Sequence, residues 1–429
     1  MVSRLGFWVN RTLERLWVKP LMMCVVSVLA VFAAKWLGDY ELASYLPQIS
    51  LESLESLLSI MSASMLVIAT FCVGSMVSAY ASASTSATPR SFSLVIADDV
   101  SQNALATFVG AFIFSIVAIV AVKNQYFGTG GNFLLFVFTL LVFALVILTF
   151  VRWVDRIARL GRINSTIEKI EQATNKSLQA RRLSPLMGGT PVRQQSREGH
   201  PVFADSVGYV QRVELTRLQK LAEQDDLIIR LEALPGRFLS PGRKIASLYG
   251  ALPSDPDLDA IRRAFVVGRN RTFDGDPRFG LVTLSQVASK ALSPGINDTG
   301  TAIDVLSSLT RLLTDWSQPV AKEDVQPVRF DRVQVPELGI EEMFEDAFTL
   351  IARDGAGAVE VATKLQKTLY SLSTLPHDLM HQTTLTHAKL ALKRSELVMQ
   401  LDEDLDEVKK LASFATDPPS CSSDQNPLT

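Results

Sequence analysis

The sequence lacks the residues and motifs that mark most soluble enzymes and nucleic-acid-binding proteins. It has three cysteines in 429 residues and no Cys-x-x-Cys pair, which excludes a disulfide scaffold and a cysteine zinc site. The 42 Lys/Arg and 44 Asp/Glu residues leave a formal net charge of −2, so there is no basic footprint for nucleic acid. No Gly-x-Ser-x-Gly, P-loop, Gly-x-Gly-x-x-Gly or kinase motif occurs. These absences predict no cofactor, no metal and no nucleic-acid partner, and they disfavour an enzyme.

The charge that is present is distributed unevenly along the chain. Charged residues make up 14 of the first 151 positions (9%) but 72 of the remaining 278 (26%). A single soluble domain does not have such a composition. The first third is therefore predicted to lie in a membrane and the rest in water.

Four apolar runs in the first third are long enough to cross a bilayer. A helix needs about 20 apolar residues to span about 30 Å of hydrocarbon, and the runs have 17, 23, 19 and 19 residues. Three of them carry no charge, and the first carries only Lys35 near its end. The predicted spans are Leu21–Leu37, Leu57–Ala79, Ala104–Val122 and Phe133–Val151. The fold class that follows is an α-helical membrane domain of four transmembrane helices, with the lipid bilayer as a partner.

Basic residues flank the four spans on one side. Lys and Arg concentrate on the cytoplasmic side of membrane proteins, and here they precede the first span and follow the fourth. The first connecting loop is instead acidic, with Asp39 and Glu41. This pattern predicts a multi-pass protein of the bacterial inner membrane with both termini in the cytoplasm. The basic residues are Arg4, Arg11, Arg15 and Lys19 before the spans, and Arg152, Arg156, Arg159 and Arg162 after them.

The second span is unusually rich in serine and other small residues. Such residues allow close helix packing, which predicts that this helix is the packing centre of the bundle. The same residues can also line a polar path, and in that interpretation Ser62, Ser75 and Ser78 face a pore. The Ala/Ser run after the span predicts two further helical turns before Pro89 ends the helix.

The cytoplasmic part is predicted to be an α+β domain. Apolar residues recur every three or four positions from Trp153 to Thr174, which predicts that the fourth helix continues as an amphipathic stalk requiring a partner from its own chain or from another subunit. A homo-oligomer is the expected assembly. The predicted segments are a membrane domain (1–151), a stalk (152–183), a linker (184–201), a small β-rich module (202–252), a mainly helical domain (253–413) and a disordered tail (414–429).

Within these segments, strands are predicted at 207–213, 226–234, 244–249 and 328–335, and helices at 258–265, 279–292 and 299–313, with three more helices to about residue 413. The segment from Gly208 to Gly250 resembles the small β-sandwich of lipoyl-like and adaptor domains. It lacks the lysine at a hairpin tip that would carry lipoate or biotin. The resemblance therefore implies a packing module.

One polar constellation stands out between residues 271 and 298. Its acids have the chemistry to hold Mg²⁺ or Ca²⁺, and its arginines have the chemistry to bind a phosphate or an acidic partner. The alternative is structural, with a plain turn at 274–278 and a helix cap at Asn297 or Asp298. The candidate ligand-binding residues are Arg271, Asp274, Asp276, Arg278, Asn297 and Asp298.

Three of the four histidines lie close together. His377 and His381 are four residues apart, as in helical metal-binding pairs. The alternative is that they form a pH-responsive group with His387. The motif lacks the glutamate of the His-Glu-x-x-His pattern that supplies a general base. Solvated or packed histidines are the interpretation that the sequence favours.

Several phrases resemble a family of bacterial membrane proteins catalogued as domain of unknown function 2254. They are ASTSATPR after the second span, VGYVQRV, and DPRFG followed by KALSPGINDTGTAID. The family usually has proline where this chain has Thr299 and a bulky residue where it has Gly300. The resemblance extends to about residue 412 and implies a membrane location, with no established activity.

Two functions are compatible with these observations. The leading hypothesis is an oligomeric channel- or transport-like protein with a cytoplasmic sensing or gating domain. The alternative is a membrane-anchored enzyme, or a metal- or phosphate-binding signalling protein, centred on residues 274–278 and 293–298. Acids that converge in a cleft would favour the alternative, whereas serines that face one pore would favour the channel.

Overall fold

The chain folds into two compact units, residues 1–166 and 167–429. A computed structural model describes residues 17–38, 47, 49–86, 88–91, 94, 99–157, 162–193, 198–253, 256–321 and 323–416.

Four long apolar helices form the first unit, as the sequence predicted. By length and composition, each is able to cross a membrane. A short 3-10 turn at Pro89–Ser91 lies between the second and third helices. The helices are α1 (Val18–Gly38), α2 (Leu51–Ser86), α3 (Asp99–Lys123) and α4 (Thr129–Ile157).

Helix α2 is much longer than a bilayer is thick. Its 36 residues correspond to about 54 Å at about 1.5 Å per residue, against about 30 Å of hydrocarbon. It ends at Ser86, two turns beyond the apolar run and just before Pro89. The predicted extension through the Ala/Ser run is therefore confirmed.

The packing centre of the first unit is α3, and the prediction that α2 plays this part is wrong. Helix α3 makes the most extensive contacts with the other helices, and its fully or almost fully buried alanines Ala104, Ala111 and Ala118 recur every seven residues. A Cβ at Gly110 would lie 3.0 Å from the Cβ of Met23, so α1 and α3 approach closely there. Ser27 donates a hydrogen bond of 2.9 Å to the Gly110 carbonyl across this contact. Small residues bring helices together, and the ones that do so here are the alanines and glycine of α3.

The predicted stalk is not one continuous helix. Helix α4 ends at Ile157, and a separate helix, α5, spans Ile163–Leu183; Leu160 lies outside the described residues. The apolar stripe divides accordingly. Trp153 is buried against Phe108 within the first unit, whereas Ile170 is buried within the second. The α5 part of the stripe is covered by its own chain, which removes it as evidence for a subunit contact.

The second unit contains two β-sheets. The strands are β1 (Thr190–Pro191), β2 (His200–Phe203), β3 (Gly208–Val213), β4 (Ile228–Leu231), β5 (Phe238–Leu239), β6 (Lys244–Tyr249), β7 (Phe265–Gly268) and β8 (Val333–Val335). The five-stranded sheet has the order β1–β8–β4–β6–β2, with β8 parallel to both of its neighbours and the other pairs antiparallel. The three-stranded sheet, β5–β3–β7, is antiparallel.

These sheets include strands from outside the predicted β-rich module 202–252. Strand β1 lies in the predicted linker, and β7 and β8 lie in the segment predicted to be mainly helical. All three residues of β8 are buried, because the strand is inserted between β1 and β4. The strand predicted at 328–335 is therefore confirmed at its last three residues, but its central place in the sheet depends on partners that are distant in sequence.

Helices make up the rest of the second unit. The segment after β8 contains four described helices, whereas the sequence predicted three. The helix predicted at 258–265 ends at Arg262, and strand β7 begins at Phe265. Residues 417–429 of the predicted tail lie outside the described residues. The helices are α6 (Leu215–Gln224), α7 (Leu258–Arg262), α8 (Pro277–Ala291), α9 (Thr299–Ser317), α10 (Ile340–Asp354), α11 (Val359–Ser373), α12 (Asp378–Val398) and α13 (Asp402–Thr416).

Candidate functional site

Asp276 begins helix α8 and is paired with Arg271. The guanidinium donates two hydrogen bonds to the carboxylate, of 2.6 Å from Nε and 3.0 Å from Nη2. The Asp276 carboxylate also accepts from the Phe279 amide at 3.2 Å, and Pro277 occupies the first helical position. This is the usual sequence of a helix start, since proline there loses no hydrogen bond. Asp276 therefore serves as a buried helix cap held by an arginine.

The Asp276 carboxylate is enclosed and leaves no room for a ligand. Its side chain is 3% exposed, and it lies against the backbone of Gly236, whose φ of +92° is in the region that favours glycine. A Cβ at Gly236 would overlap the carboxylate. Burial raises the pKa of Asp276, and the hydrogen bonds and charge of Arg271 oppose that shift.

Arg278 connects α8 to α10. Its Nε donates to the Asp346 carboxylate at 2.6 Å, and Nη1 pairs with Glu342. Both acids lie one turn apart on α10, so one guanidinium bridges two carboxylates. The sequence placed Arg278 with Asp298, but the structure pairs it with acids 64 and 68 residues away. This contact is a structural link between helices.

Asp298 caps helix α9. Its Oδ1 accepts from the Thr301 amide at 3.0 Å and Oδ2 from the Thr301 hydroxyl at 2.6 Å. These hydrogen bonds lower the pKa of Asp298. Asn297 precedes it with a φ of +49°, a left-handed conformation that asparagine adopts more readily than most residues. Both residues are exposed, in agreement with the structural alternative.

The six predicted ligand residues do not form one site. Asp276 lies at the N-terminus of α8. The Asp298 amide donates to the carbonyl of Ala291, the last residue of the same helix. The 15 residues of α8 separate these points by about 20 Å. Asp274 is exposed and precedes the N-terminus of α8. Among the described residues, no group of three or more His, Cys, Asp or Glu side chains is placed to hold a metal ion.

The three histidines have separate surroundings. His377 caps α12 by accepting from the Met380 amide at 3.4 Å, so it precedes the helix and does not share a helical face with His381. The Nδ1 of His381 lies 2.8 Å from the Ser373 carbonyl. His387 packs 5.7 Å from the Phe344 ring, and burial followed by the charge of Arg394 lowers its pKa. His377 is therefore a cap and His387 a packed residue, whereas His381 is exposed.

The three serines proposed to line a pore do not share one face of α2. Ser62 is buried within the helical unit, Ser75 is half-buried and Ser78 is exposed. Each helical residue rotates by about 100°, so Ser62 and Ser78 are about 160° apart around the axis. One pore cannot be lined by all three serines of a regular helix.

A polar groove that the sequence analysis missed lies between α9 and α11. Its volume is about 330 Å³, and none of its lining side chains is aliphatic or aromatic. Each helix contributes four residues at the spacing i, i+3, i+4 and i+7, with Asp315 added on α9. The lining residues are Ser307, Thr310, Arg311, Thr314 and Asp315 from α9, and Lys364, Lys367, Thr368 and Ser371 from α11.

The floor and one rim of the groove are fixed by hydrogen bonds. The hydroxyl oxygens of Thr310 and Thr368 lie 3.3 Å apart where the two helices meet. At the rim, Arg311 donates two hydrogen bonds of 2.7 Å to Glu171 on α5. Burial would raise the pKa of Glu171, but hydrogen bonds from Arg311 and Ser308 hold it below its usual value. The groove is therefore connected to α5 by an ion pair.

The sequence contained a signal for this groove. The polar positions of α9 and α11 recur with the period of a helix face, which is the spacing that usually identifies a buried apolar stripe. Two polar stripes of the same period indicate faces that avoid the core. Only the tertiary structure shows that the two faces adjoin.

The comparisons with known proteins give a family and distant relatives. The family model described as "Predicted membrane protein (DUF2254)" matches residues 13–371. Uncharacterized proteins of Mycobacterium bovis (Mb1321c) and Mycobacterium tuberculosis (Rv1290c) are each 29% identical over 131 residues, which is 29% of this chain and 25% of the relative. The match thus spans about a quarter of the length of these relatives. No solved structure matches.

Proposed function

Because the chain belongs to the family of predicted membrane proteins described as domain of unknown function 2254, we propose that it is a membrane-anchored sensor. In this proposal, the first unit spans the bacterial inner membrane, both termini lie in the cytoplasm, and the second unit binds a small polar ligand there. The ligand site is the groove between α9 and α11.

The orientation is supported by the basic residues at the ends of the helical unit. Four Lys/Arg residues precede α1 or lie at its start, and four follow within the fourteen residues after Val151. Positive residues remain on the cytoplasmic side during insertion. An even number of spans then returns the chain to the side on which it began.

The groove is the observation that carries the binding role. Its volume lies at the lower end of the range for small-molecule sites, and each of its lining residues carries a hydroxyl or a charged group. The acids and arginines of the predicted constellation are instead paired with each other, cap helices or lie apart. A nucleophile, a base and an oxyanion site do not converge there, so binding is favoured over catalysis.

A sensor also requires a connection from the ligand site to the membrane. Helix α5 begins six residues after α4 ends, and its Glu171 is paired with Arg311 at the rim of the groove. A ligand that attracts the Arg311 guanidinium weakens this pair. Ligand binding would thereby change how firmly α5 is held.

Topology reporters test the orientation. A reporter fused after Thr429 should be cytoplasmic, and reporters placed at Asp39 or Gly130 should be external. A periplasmic reporter after Thr429 would overturn the proposed placement of the second unit.

A thermal-shift screen of small polar metabolites tests the binding role. The full chain in neutral detergent should be stabilised by at least one compound, and Ser371→Trp, which fills the groove, should abolish the shift. Ser413→Trp changes an exposed serine on α13 outside the groove and is the matched control. If no compound stabilises the wild type, or if both variants respond alike, the groove is not a ligand site.

A further inference from the structure

The charges of the groove are uneven between its two walls. The α11 wall carries Lys364 and Lys367, whereas the α9 wall carries Arg311 and Asp315. Arg311 is already paired with Glu171. The remaining charge is thus positive on one wall and negative on the other, and a ligand with two chemically different ends fits this arrangement.

Lys364 and Lys367 have no ion pair or hydrogen bond through their side chains within the described part of the chain. Many arginines of the same unit, by contrast, are paired with carboxylates, among them Arg271, Arg278 and Arg332. The two lysines are one helical turn apart, so both ammonium groups can reach one anion. Lysine binds phosphate as a compact point charge with three donors.

The hydroxyls of the groove favour a ligand that donates hydrogen bonds. Ser307 and Ser371 already donate to the carbonyls four residues earlier in their own helices, at 3.0 and 2.9 Å. Their remaining lone pairs are acceptors. Asp315, as a carboxylate, also only accepts. Hydroxyl groups on the ligand would satisfy these acceptors.

The size of the groove distinguishes a bare ion from a larger ligand. Small-molecule sites range from about 300 to about 1,000 Å³, and the groove has about 330 Å³. This volume accommodates a phosphate group together with several carbon and hydroxyl groups. A phosphomonoester carries a charge of about −1.5 to −2 near neutral pH, which matches two lysines.

We propose that the groove binds a small hydroxylated phosphomonoester, with its phosphate on Lys364 and Lys367 and its hydroxyls towards Asp315 and the serines. This inference rests on the proposed ligand-binding function and specifies its ligand class. A sugar phosphate or glycerol phosphate has this chemistry. A phospholipid with a phosphomonoester headgroup shares the phosphate but brings it from the membrane.

Isothermal titration of the full chain in neutral detergent tests the ligand class, with glycerol 3-phosphate as the probe. Glycerol tests the hydroxyls alone, inorganic phosphate tests the anion alone, and short-chain phosphatidic acid tests the lipid source. Glycerol 3-phosphate should bind more tightly than each of the other three. If phosphatidic acid binds more tightly than glycerol 3-phosphate, the proposal that the ligand is soluble is wrong. If inorganic phosphate binds as tightly as glycerol 3-phosphate, the proposed role of the ligand hydroxyls is wrong.

Variants locate the binding. Lys364→Gln with Lys367→Gln should raise the Kd for glycerol 3-phosphate by at least about tenfold, because charge-assisted hydrogen bonds are lost. Lys389→Gln with Lys393→Gln removes two exposed lysines from α12 and should leave the Kd unchanged. Equal effects of the two pairs would overturn the assignment.

The outcome separates this inference from the proposed function. If glycerol 3-phosphate does not bind but another polar compound stabilises the wild type and not Ser371→Trp, the sensor proposal stands and the phosphomonoester is wrong. If nothing binds in the groove by either measurement, both are wrong.

Discussion

The two units use polar side chains in different ways. In the first unit, buried hydroxyls such as those of Ser115 and Thr139 bond to carbonyls of their own helix, as those of Thr283 and Thr384 also do in the second. In the second unit, charged side chains connect separate elements, as Arg278 does for α8 and α10 and Arg311 for α9 and α5. The first unit also has an ion pair between helices, Lys123 of α3 with Glu55 of α2, but both of these side chains are exposed. The ion pair of Arg278 with Asp346 in the second unit is more buried.

This difference agrees with the proposed placement of the first unit in lipid and of the second in water. Lipid provides no water to satisfy a polar group, so hydroxyls in a membrane helix bond to the nearest backbone carbonyl. In water, an ion pair that is partly buried between elements adds geometric specificity, and breaking one partner leaves a costly charge. Substitutions of comparable size should therefore have different consequences in the two units.

The largest effect is expected from Asp276→Ala in the second unit. Removal of one partner from a buried pair costs about 3–5 kcal/mol, because Arg271 keeps its charge. The matched control is Asp298→Ala at an exposed cap, which should cost about 1 kcal/mol, and Asp298→Asn should cost almost nothing. Hydrogen exchange of the α8 and α9 amides in the full chain measures these losses. Similar losses for the two alanine variants would contradict the distinction between buried and exposed caps.

A smaller effect is expected from Gly280→Val on α8. A Cβ at this position would overlap the Thr174 hydroxyl of α5, and overpacking of this kind costs about 1–3 kcal/mol. Gly295→Val introduces the same side chain where no atom lies within 4 Å of the new Cβ. The thermal midpoint should fall markedly for Gly280→Val only. An equal decrease would mean that α5 does not pack closely on α8.

In the membrane unit, Ser27→Ala is expected to have a modest effect. The variant removes the hydrogen bond from α1 to the Gly110 carbonyl of α3, and such interhelical bonds are worth about 0.6 kcal/mol on average. Thr70→Val is the control, since the Thr70 hydroxyl bonds within its own helix and is exposed. Unfolding of the full chain in mixed detergent micelles compares the two. A loss as large as that of Asp276→Ala would show that the units do not differ in this respect.

The smallest effect is expected from the pH dependence contributed by His387. Burial lowers its pKa from about 6.5 in the unfolded chain, so the unfolded state binds a proton more readily. The free energy of unfolding of the second unit should thus be highest above about pH 6.5 and should decrease as the pH falls towards the lowered pKa. His387→Phe should reduce this dependence, whereas the control His381→Phe, which changes an exposed histidine, should not. Identical pH profiles for wild type and His387→Phe would contradict the effect of burial.

Features that depend on neighbouring residues could be predicted from the sequence. The four apolar helices, the end of α2 near Pro89 and the cap at Asp298 each follow from a run of adjacent residues. Hydrophobicity, proline geometry and capping act within one or two turns, so a short window contains the whole cause. The membrane family was recognisable for the same reason, because its phrases are contiguous.

Features that depend on distant residues were decided only by the tertiary structure. Strand β8 joins β1 and β4 from more than 100 residues away, Arg278 binds acids on α10, and α3 became the packing centre of the first unit. The groove likewise exists only because α9 and α11 pack side by side. A local pattern shows which face of a helix is polar or apolar, but the identity of the facing element depends on how the whole chain is packed, and that information is not contained in any short segment.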